Sequence, residues 1–267
     1  MWYPFRRRPP LVALLRLEGL IAARSGPFGG LNIAGAHPLL ERAFGMKGLS
    51  AVFLAINSPG GSPVQSALIA RRIRQLAEEK KVPVVAVTED AAASGGYWIA
   101  CAADDIIADP ASILGSIGVI SSGFGFQDTM ARLGVERRVR TAGTEKSLGD
   151  PFRPQKDEDV VRLDALLAEL HTEFKDWVRE RRGDRLKAPE EQLFTGRFWI
   201  GRRALELGLC DGLGDVRSEA KRRFGDKVRV VPIGPRRRRF PLNLLPGAAA
   251  SVLTAAEERA AWARLGL

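Results

Sequence analysis

The stretch SAVFLAINSPGGSPVQSALIARRIRQLAEEKKVPVVAVT, residues 50–88, constrains the fold more than any other part of this sequence. Residues 50–57 and 82–88 are apolar enough to be strands buried on both faces. Between them, residues 62–81 carry apolar side chains at every third or fourth position, with arginines in between, which predicts an amphipathic helix. A strand, a helix and a second strand in this order predict a parallel sheet with crossover helices.

The remainder of the chain continues this alternation. We predict further strands at residues 11–22, 104–109, 116–122, 135–143 and 227–234, and further helices at 36–45, from Ser94 onward, at 126–134 and at 156–182. A chain of 267 residues, 45% of them hydrophobic, can form one large α/β domain or two small ones.

The charge balance is strongly basic. Lysine and arginine number 41 against 31 acidic residues, a net charge of +10, and much of the excess lies in short runs such as residues 6–8 and 236–239. These runs could be solvated helix faces and tails, or they could attract an anionic surface. Because no nucleic-acid-binding motif accompanies them, we predict no nucleic-acid partner and favour peripheral contact with a membrane.

The first 26 residues have a pattern similar to a targeting signal, with arginines followed by apolar residues. Arg16 and Glu18 interrupt the apolar run well short of the about 20 residues that a membrane span requires. The sequence therefore predicts no transmembrane helix and a cytoplasmic protein that touches the inner membrane at most peripherally.

Cysteine and histidine are scarce. Cys101 and Cys210 lie far apart, and together with His37 and His171 they form no metal-binding spacing, so no metal or other cofactor is predicted. Two isolated thiols are typical of a reducing cytoplasm.

The stretch DAAASGGYWIACAA, residues 90–103, places Ser94 between alanines and glycines at the expected start of a helix. Small residues here fit a tight turn into a buried helix. They also fit a nucleophile whose surroundings leave room for a substrate backbone, with free N–H groups that favour negative charge. From this stretch alone both interpretations stay open.

A second glycine turn, NSPGGSP at residues 57–63, follows a predicted strand. Gly60 and Gly61 can adopt positive φ angles and present main-chain N–H groups, which are good donors to a developing oxyanion. Gly95, directly after Ser94, could add a second donor.

A serine nucleophile needs a base. His37 precedes a proline on an early helix and His171 lies in the middle of a helix, so a Ser-His-Asp triad is disfavoured. Lys146, in the loop TAGTEKSLGDPFRP, is the remaining candidate, because a desolvated lysine can become a neutral base near neutral pH. A solvated loop lysine is the alternative.

The motifs INSPGG, AAASGGYWIACAADDIIADPASILGSIGV, TAGTEKSLGDPFRP and FTGRFWIGRRALELGLCDGLGDV, in this order, resemble the signal peptide peptidase A family, the S49 peptidases. The resemblance extends from about residue 12 to about residue 225. It implies the α/β fold shared by the caseinolytic protease and the crotonases, built from ββα units with a helical C-terminal part.

The resemblance also implies roles for individual residues. Ser94 would be the nucleophile and Lys146 the general base of a Ser/Lys dyad, with Ser116 orienting the lysine. Gly61 and Gly95 would be the oxyanion donors, with Gly60 as an alternative to Gly61. The implied activity is that of a serine endopeptidase that cleaves signal-peptide remnants or other unfolded or membrane-derived peptides through an acyl-enzyme.

The predicted domains are a basic arm at residues 1–10, an S49 peptidase domain at 11–235, and a basic linker with a helical tail at 236–267. The family further implies a homo-oligomer, a ring or a dome. Two alternatives remain: a crotonase-like acyl-CoA enzyme on the same scaffold, and an inactive peptide-binding scaffold.

Overall fold

The structure, a computed structural model, describes residues 9–23, 30–143, 146–234, 256 and 258–267. The chain divides into two compact units. The first comprises residues 1–118 and 174–267, and the second comprises residues 119–173. The predicted domain boundaries adjoin segments outside the described residues and stay a prediction.

The described residues form strands and helices that alternate along the chain. The strands are β1 Leu11–Glu18, β2 Leu49–Ser58, β3 Val84–Ala93, β4 Asp105–Ala108, β5 Ile113–Gly115, β6 Phe198–Ile200, β7 Gly212–Leu213 and β8 Arg229–Ile233. The helices are α1 Ile33–Phe44, α2 Pro63–Lys80, α3 Gly95–Ala100, α4 Gln127–Arg132, α5 Asp157–Arg182, α6 Glu190–Leu193, α7 Gly201–Glu206 and α8 Val216–Phe224. A 3-10 turn, Gly183–Arg185, follows α5.

The strands of the described residues form one sheet in the order β6-β5-β3-β2-β1-β8, with β4 paired to β3 and β7 paired to β4. All pairs are parallel except β5 with β6. The predicted parallel sheet with crossover helices is confirmed. Strand β3 is central, because its first half pairs with β4 and its second half pairs with β5.

Alternate residues of the strands place their side chains in two apolar layers, one on each face of the sheet, as expected for strands buried on both faces. On one face, α1, α2 and α3 cover the sheet, and Leu40, Ile69 and Ile99 are fully buried there. On the other face, Phe53 and Val87 pack with helix α8.

The spacing predicts that the strand at 82–88 ends before residue 90, but β3 continues to Ala93. The register between β2 and β3 shifts between Ile56 and Ser58, so β3 carries a bulge. The side chain of Asn57 fills this bulge: its amide donates to the Asp90 carboxylate, 2.6 Å, and its oxygen accepts from the Ala91 N–H, 3.2 Å. Beyond the bulge, β3 gains β5 as a partner.

Two predicted strands are wrong. Residues 116–122 form no strand, because Gly115 and Ser116 have φ angles of +106° and +53° and end β5. Residues 135–143 also form no strand, because no strand among the described residues pairs with them.

Near the end of the chain, residues 258–263 are helical and residues 264–266 form a turn. Trp262 and the buried Leu265 pack against Ala91, Ala93 and Ile113, on β3 and β5. The last residues of the chain therefore cover the strand that leads into Ser94. The basic arm at residues 1–8 and the linker at 235–255 lie outside the described residues.

The second unit contains α4 and the first part of α5. Three exposed aromatic rings in this unit lie close together: the ring of Phe126 lies 6.2 Å from that of Phe124 and 5.6 Å from that of Phe152. The guanidinium of Arg137 lies 4.9 Å from the centre of the Phe152 ring. No described residue between 119 and 173 is buried within the chain.

Membrane spans were sought among the described helices, and none of these is both long and apolar enough to cross a bilayer.

Candidate active site

Ser94 lies in the sharp turn between β3 and α3. Its φ angle of +52° and ψ angle of −120° place it in a region that residues with a side chain rarely adopt. The turn is held by two main-chain hydrogen bonds: the Ser94 N–H donates to Gly115, 2.8 Å, and the Ser94 carbonyl accepts from Trp98, 3.0 Å. The side chain of Ser94 caps no helix N–H and is half-buried.

The glycine turn after β2 packs directly against Ser94. A Cβ atom at Gly60 would lie 2.7 Å from the Cβ of Ser94 and 2.9 Å from the N atom of Gly95. A Cβ atom at Gly61 would lie 2.0 Å from the Ile21 carbonyl oxygen. Both glycines also have positive φ angles, +105° and +137°. Only glycine fits at either position, because both the contacts and the backbone angles exclude a side chain.

The main-chain N–H groups of this turn differ in their partners. The N–H of Gly60 donates to the hydroxyl of Ser58, 3.2 Å, and that hydroxyl in turn donates to the carbonyl of Gly19, 2.7 Å. The N–H groups of Gly61 and Gly95 donate to no acceptor within the described part of the chain. These two N–H groups can therefore donate hydrogen bonds to an oxygen that becomes negatively charged, whereas the N–H of Gly60 already donates to Ser58.

Ser116 directly follows Gly115, whose carbonyl accepts from Ser94. Its φ angle is +53°, and its N–H donates to the carbonyl of Arg197, 2.7 Å. One residue along, Gly196 donates to the carbonyl of Ile117, 3.1 Å. The segment before β6 thus holds Ser116 in its unusual conformation, beside the Ser94 turn.

Lys146 belongs to the second unit. It begins the turn at residues 146–149, its N–H donates to the carbonyl of Gly143, 3.4 Å, and its side chain is exposed within the chain. The structure thus brings Ser94, Gly60, Gly61, Gly95 and Ser116 together in the first unit, and Lys146 is described as part of the second.

The other candidate groups have other surroundings. His37 is exposed on α1, with its Nε2 atom 3.9 Å from a Glu41 carboxylate oxygen. Burial raises the pKa of the Cys101 thiol to about 12 and that of the Cys210 thiol to about 11, so neither is a thiolate at neutral pH. No group of residues suited to a metal ion occurs among the residues that the structure describes.

Several residues that support the site were not singled out from the sequence. Asn57 and Ser58 belong to the INSPGG motif, where only the glycines were considered. Trp177 and Arg181 on α5 bond to the end of α3, and no local pattern connects them with Ser94. A polar side chain at the end of a buried strand was the available signal for Asn57.

Comparisons with known proteins give the family of the chain. The sequence model of one protein family, Peptidase family S49, matches residues 76–229. The chain belongs to this family, a class of serine peptidases, as the sequence motifs predict, and the match favours a peptidase over an acyl-CoA enzyme.

Among its relatives is a protein of Brucella abortus strain 2308 named Na(+)/H(+) antiporter NhaA, 47% identical over 98% of this chain and 38% of that protein. Another is the chloroplastic serine protease SPPA of Arabidopsis thaliana, 31% identical over 87% of this chain and 33% of the relative. The chain thus spans between a third and two fifths of the length of these two relatives.

Among solved structures, a membrane-bound stomatin-specific protease matches with a TM-score of 0.53, 15% identity, and coverage of 85% of this chain and 99% of that chain. This similarity confirms the predicted fold class, an α/β fold of the S49 type.

Proposed function

We propose that this chain is a serine endopeptidase that uses Ser94 as nucleophile and Lys146 as general base. One observation carries the proposal: Ser94 is held at a positive φ angle against a glycine turn. Beside it lie the N–H groups of Gly61 and Gly95, which donate to no acceptor among the described residues. A strained serine at a strand–helix turn fits a nucleophile better than a structural turn, since glycine would occupy a structural turn without cost.

The proposed reaction proceeds through an acyl-enzyme. Neutral Lys146 takes the proton of the Ser94 hydroxyl while the serine oxygen bonds to the carbonyl carbon of the peptide. The carbonyl oxygen becomes negative and accepts hydrogen bonds from Gly61 and Gly95, or from Gly60 if its bond to Ser58 breaks. The lysine ammonium then protonates the leaving amine, and the peptide C–N bond breaks.

Water completes the cycle. It attacks the acyl-enzyme while the lysine again takes a proton. The bond between Ser94 and the carbonyl carbon then breaks, the lysine ammonium returns the proton to the Ser94 oxygen, and the acid is released. We assign Ser116 to orient the lysine through its hydroxyl. Its place beside the Ser94 turn supports this role.

The substrates we propose are signal-peptide remnants or other unfolded, membrane-derived peptides. Ala91, Ala92 and Ala93 precede Ser94 but are fully buried, so this proposal rests on the family resemblance and not on contacts between these side chains and a substrate.

We further propose peripheral contact with the inner membrane through the basic runs, in a cytoplasmic protein. The net charge of +10 supports this contact. Co-sedimentation with phosphatidylglycerol vesicles that weakens with salt, and none with phosphatidylcholine vesicles, is the expected result. Equal sedimentation with both would contradict an electrostatic attachment.

Covalent labelling tests the nucleophile. We expect a fluorophosphonate to add one label per chain, which fragment mass spectrometry places on Ser94, and we expect Ser94→Ala to remain unlabelled. Ser112→Ala is a matched control, because this nearby serine hydroxyl is buried and bonded to the carbonyls of β3. A label on another serine, or undiminished labelling of Ser94→Ala, would contradict the proposal.

A further inference from the structure

Two side chains of α5 donate to the main chain at the end of α3. The indole N–H of Trp177 donates to the carbonyl of Trp98, 2.9 Å. The guanidinium of Arg181 donates to the carbonyls of Cys101, 3.0 Å, and Ala103, 3.2 Å. All these residues belong to the first unit.

One of these bonds completes the hydrogen bonding of α3, and the others hold the residues that follow it. The carbonyls of Tyr97, Ile99 and Ala100 accept from main-chain N–H groups of residues 101–103. The carbonyl of Trp98 has the Trp177 indole as its partner, and because α3 is buried along its whole length, water does not replace that donor. The ring of Phe174, also on α5, stacks on Trp98 with the ring centres 4.7 Å apart. Helix α5 therefore fixes the end of α3 by both packing and hydrogen bonds.

The other end of α3 is Ser94, in its strained conformation. Such a conformation persists only where the surrounding structure prevents the chain from relaxing. The bond from Ser94 to Gly115 fixes the start of the turn, but it does not fix the direction in which α3 leaves it. The donors on α5 supply that second constraint.

We propose that Trp177 and Arg181 are positioning residues for Ser94. By holding the end of α3, they keep the serine hydroxyl and the N–H of Gly95 in the geometry that acylation requires. This inference rests on the function proposed above, because it assumes that Ser94 is the nucleophile.

The chain offers a matched control on the same helix. Arg179 lies two residues before Arg181, but it pairs with Asp176 and Glu190 at the surface and donates nothing to α3. Val12→Ala provides a second control, because Val12 is buried in the separate core on the other face of the sheet. It lowers stability without touching α3.

The test measures kcat and KM for peptide hydrolysis, together with thermal unfolding. We expect Trp177→Phe, which keeps the ring and loses the donor, and Arg181→Met to lower kcat between about tenfold and a hundredfold with KM nearly unchanged. Arg181→Lys should recover part of the loss, because its ammonium can reach one of the two carbonyls. Arg179→Met and Val12→Ala should keep the wild-type kcat.

Two results would overturn the proposal. Wild-type kcat in Trp177→Phe and Arg181→Met would show that α5 does not position the serine. An equal loss of kcat in Val12→Ala, at the same fall in unfolding temperature, would show that lost stability is the cause. Ser94→Ala is measured alongside to distinguish these results from failure of the proposed function. Full activity of Ser94→Ala would show that Ser94 is not the nucleophile.

Discussion

At the scale of single residues, the site depends on close packing between the Ser94 turn and two glycines. Gly60 touches Ser94 where a Cβ atom would overlap it, and Gly61 touches Ile21 in the same way. Neither contact involves a flexible side-chain end that could move aside. A methyl group here must displace either the nucleophile or the main chain that carries the oxyanion donors.

We predict that Gly60→Ala lowers the rate of peptide hydrolysis by at least about a hundredfold, since a displacement of the order of 1 Å at a reacting group has that effect. Gly48→Ala is the matched control, because Gly48 also has a positive φ angle, +74°, but nothing lies within 4 Å of the added methyl. It should cost about 1 kcal/mol of stability and leave the rate intact. Equal activity of the two variants would contradict the packing argument.

Arg182 and Asp211 form a buried ion pair in the first unit. The two groups share two hydrogen bonds, 2.7 and 2.9 Å, and only 3% of Arg182 is exposed. Burial alone would raise the pKa of Asp211, but the hydrogen bond and charge of Arg182 outweigh it and hold that pKa below its ordinary value. The charged form of Asp211 therefore stabilises the fold above its ordinary pKa of about 3.9.

This pair predicts a pH dependence of stability. Asp211→Asn should lower the free energy of unfolding at pH 7 by about 3 kcal/mol, because the buried Arg182 loses its counter-charge. The difference from wild type should begin to shrink as the pH falls below about 4, where Asp211 of the unfolded wild-type chain binds a proton, and should be lost as the pH falls through the lowered pKa of the folded protein. Urea unfolding of both proteins between pH 3 and about pH 7 measures it. A difference that stays constant over this range would contradict the account.

At the scale of elements, strand β3 connects the central sheet to the candidate active site. Its first half pairs with β4. Its second half, beyond the bulge filled by Asn57, pairs with β5 and ends at Ser94. The C-terminal helix covers this second half through Leu265 and Trp262.

We predict that Leu265→Ala lowers the free energy of unfolding by about 2 kcal/mol, toward the lower end for buried leucines because the residue lies near the chain terminus. Leu267→Ala, at a site 55% exposed, should change it by less than about 0.5 kcal/mol. Chemical denaturation measures both variants. An equal effect of the two would show that the C-terminal helix does not support β3.

The elements also show what sequence patterns can predict. The strands β1 and β2 and the helix α2 follow strong periodicity, and the sequence predicts each within a few residues. The predicted strand at 135–143 is wrong, because an exposed segment forms a strand only where a partner strand exists. The extension of β3 depends on Asn57 and on pairing with β5, contacts that no local pattern contains.

The same limit applies to the candidate site. Short sequence motifs contain Ser94, Gly60, Gly61 and Gly95, and the residue types in these motifs are enough to predict their chemistry. Trp177 lies 79 positions from Trp98, and only the folded chain brings its indole to that carbonyl. The relation between Ser94 and Lys146 remains a prediction from the family resemblance.

At the scale of the whole molecule, the second unit carries large apolar side chains that are exposed within the chain. They include Ile120, Phe124, Leu133, Val135 and Val161. Exposed apolar residues that form one patch usually mark an interface. We propose that further copies of this chain cover these side chains in a closed homo-oligomer, a ring or a dome, which would also restrict access to the site.

This proposal predicts a mass in light scattering that is a multiple of 29.1 kDa. Leu133→Glu should shift it toward a single subunit, because a charge in a buried interface is costly. Leu267→Glu, also an exposed leucine but in the first unit, should not. A single-subunit mass for the wild-type chain would contradict the assembly.

The most direct test of the central claim compares hydrolysis of a quenched-fluorescent apolar peptide by wild type, Ser94→Ala and Lys146→Ala. We predict that wild type cleaves the peptide and that each variant loses at least about a thousandfold in kcat, since neither member of the dyad works alone. Lys146→Arg should also fail, because a guanidinium stays protonated and cannot take the serine proton. Cleavage at the wild-type rate by Ser94→Ala or Lys146→Ala would contradict the account.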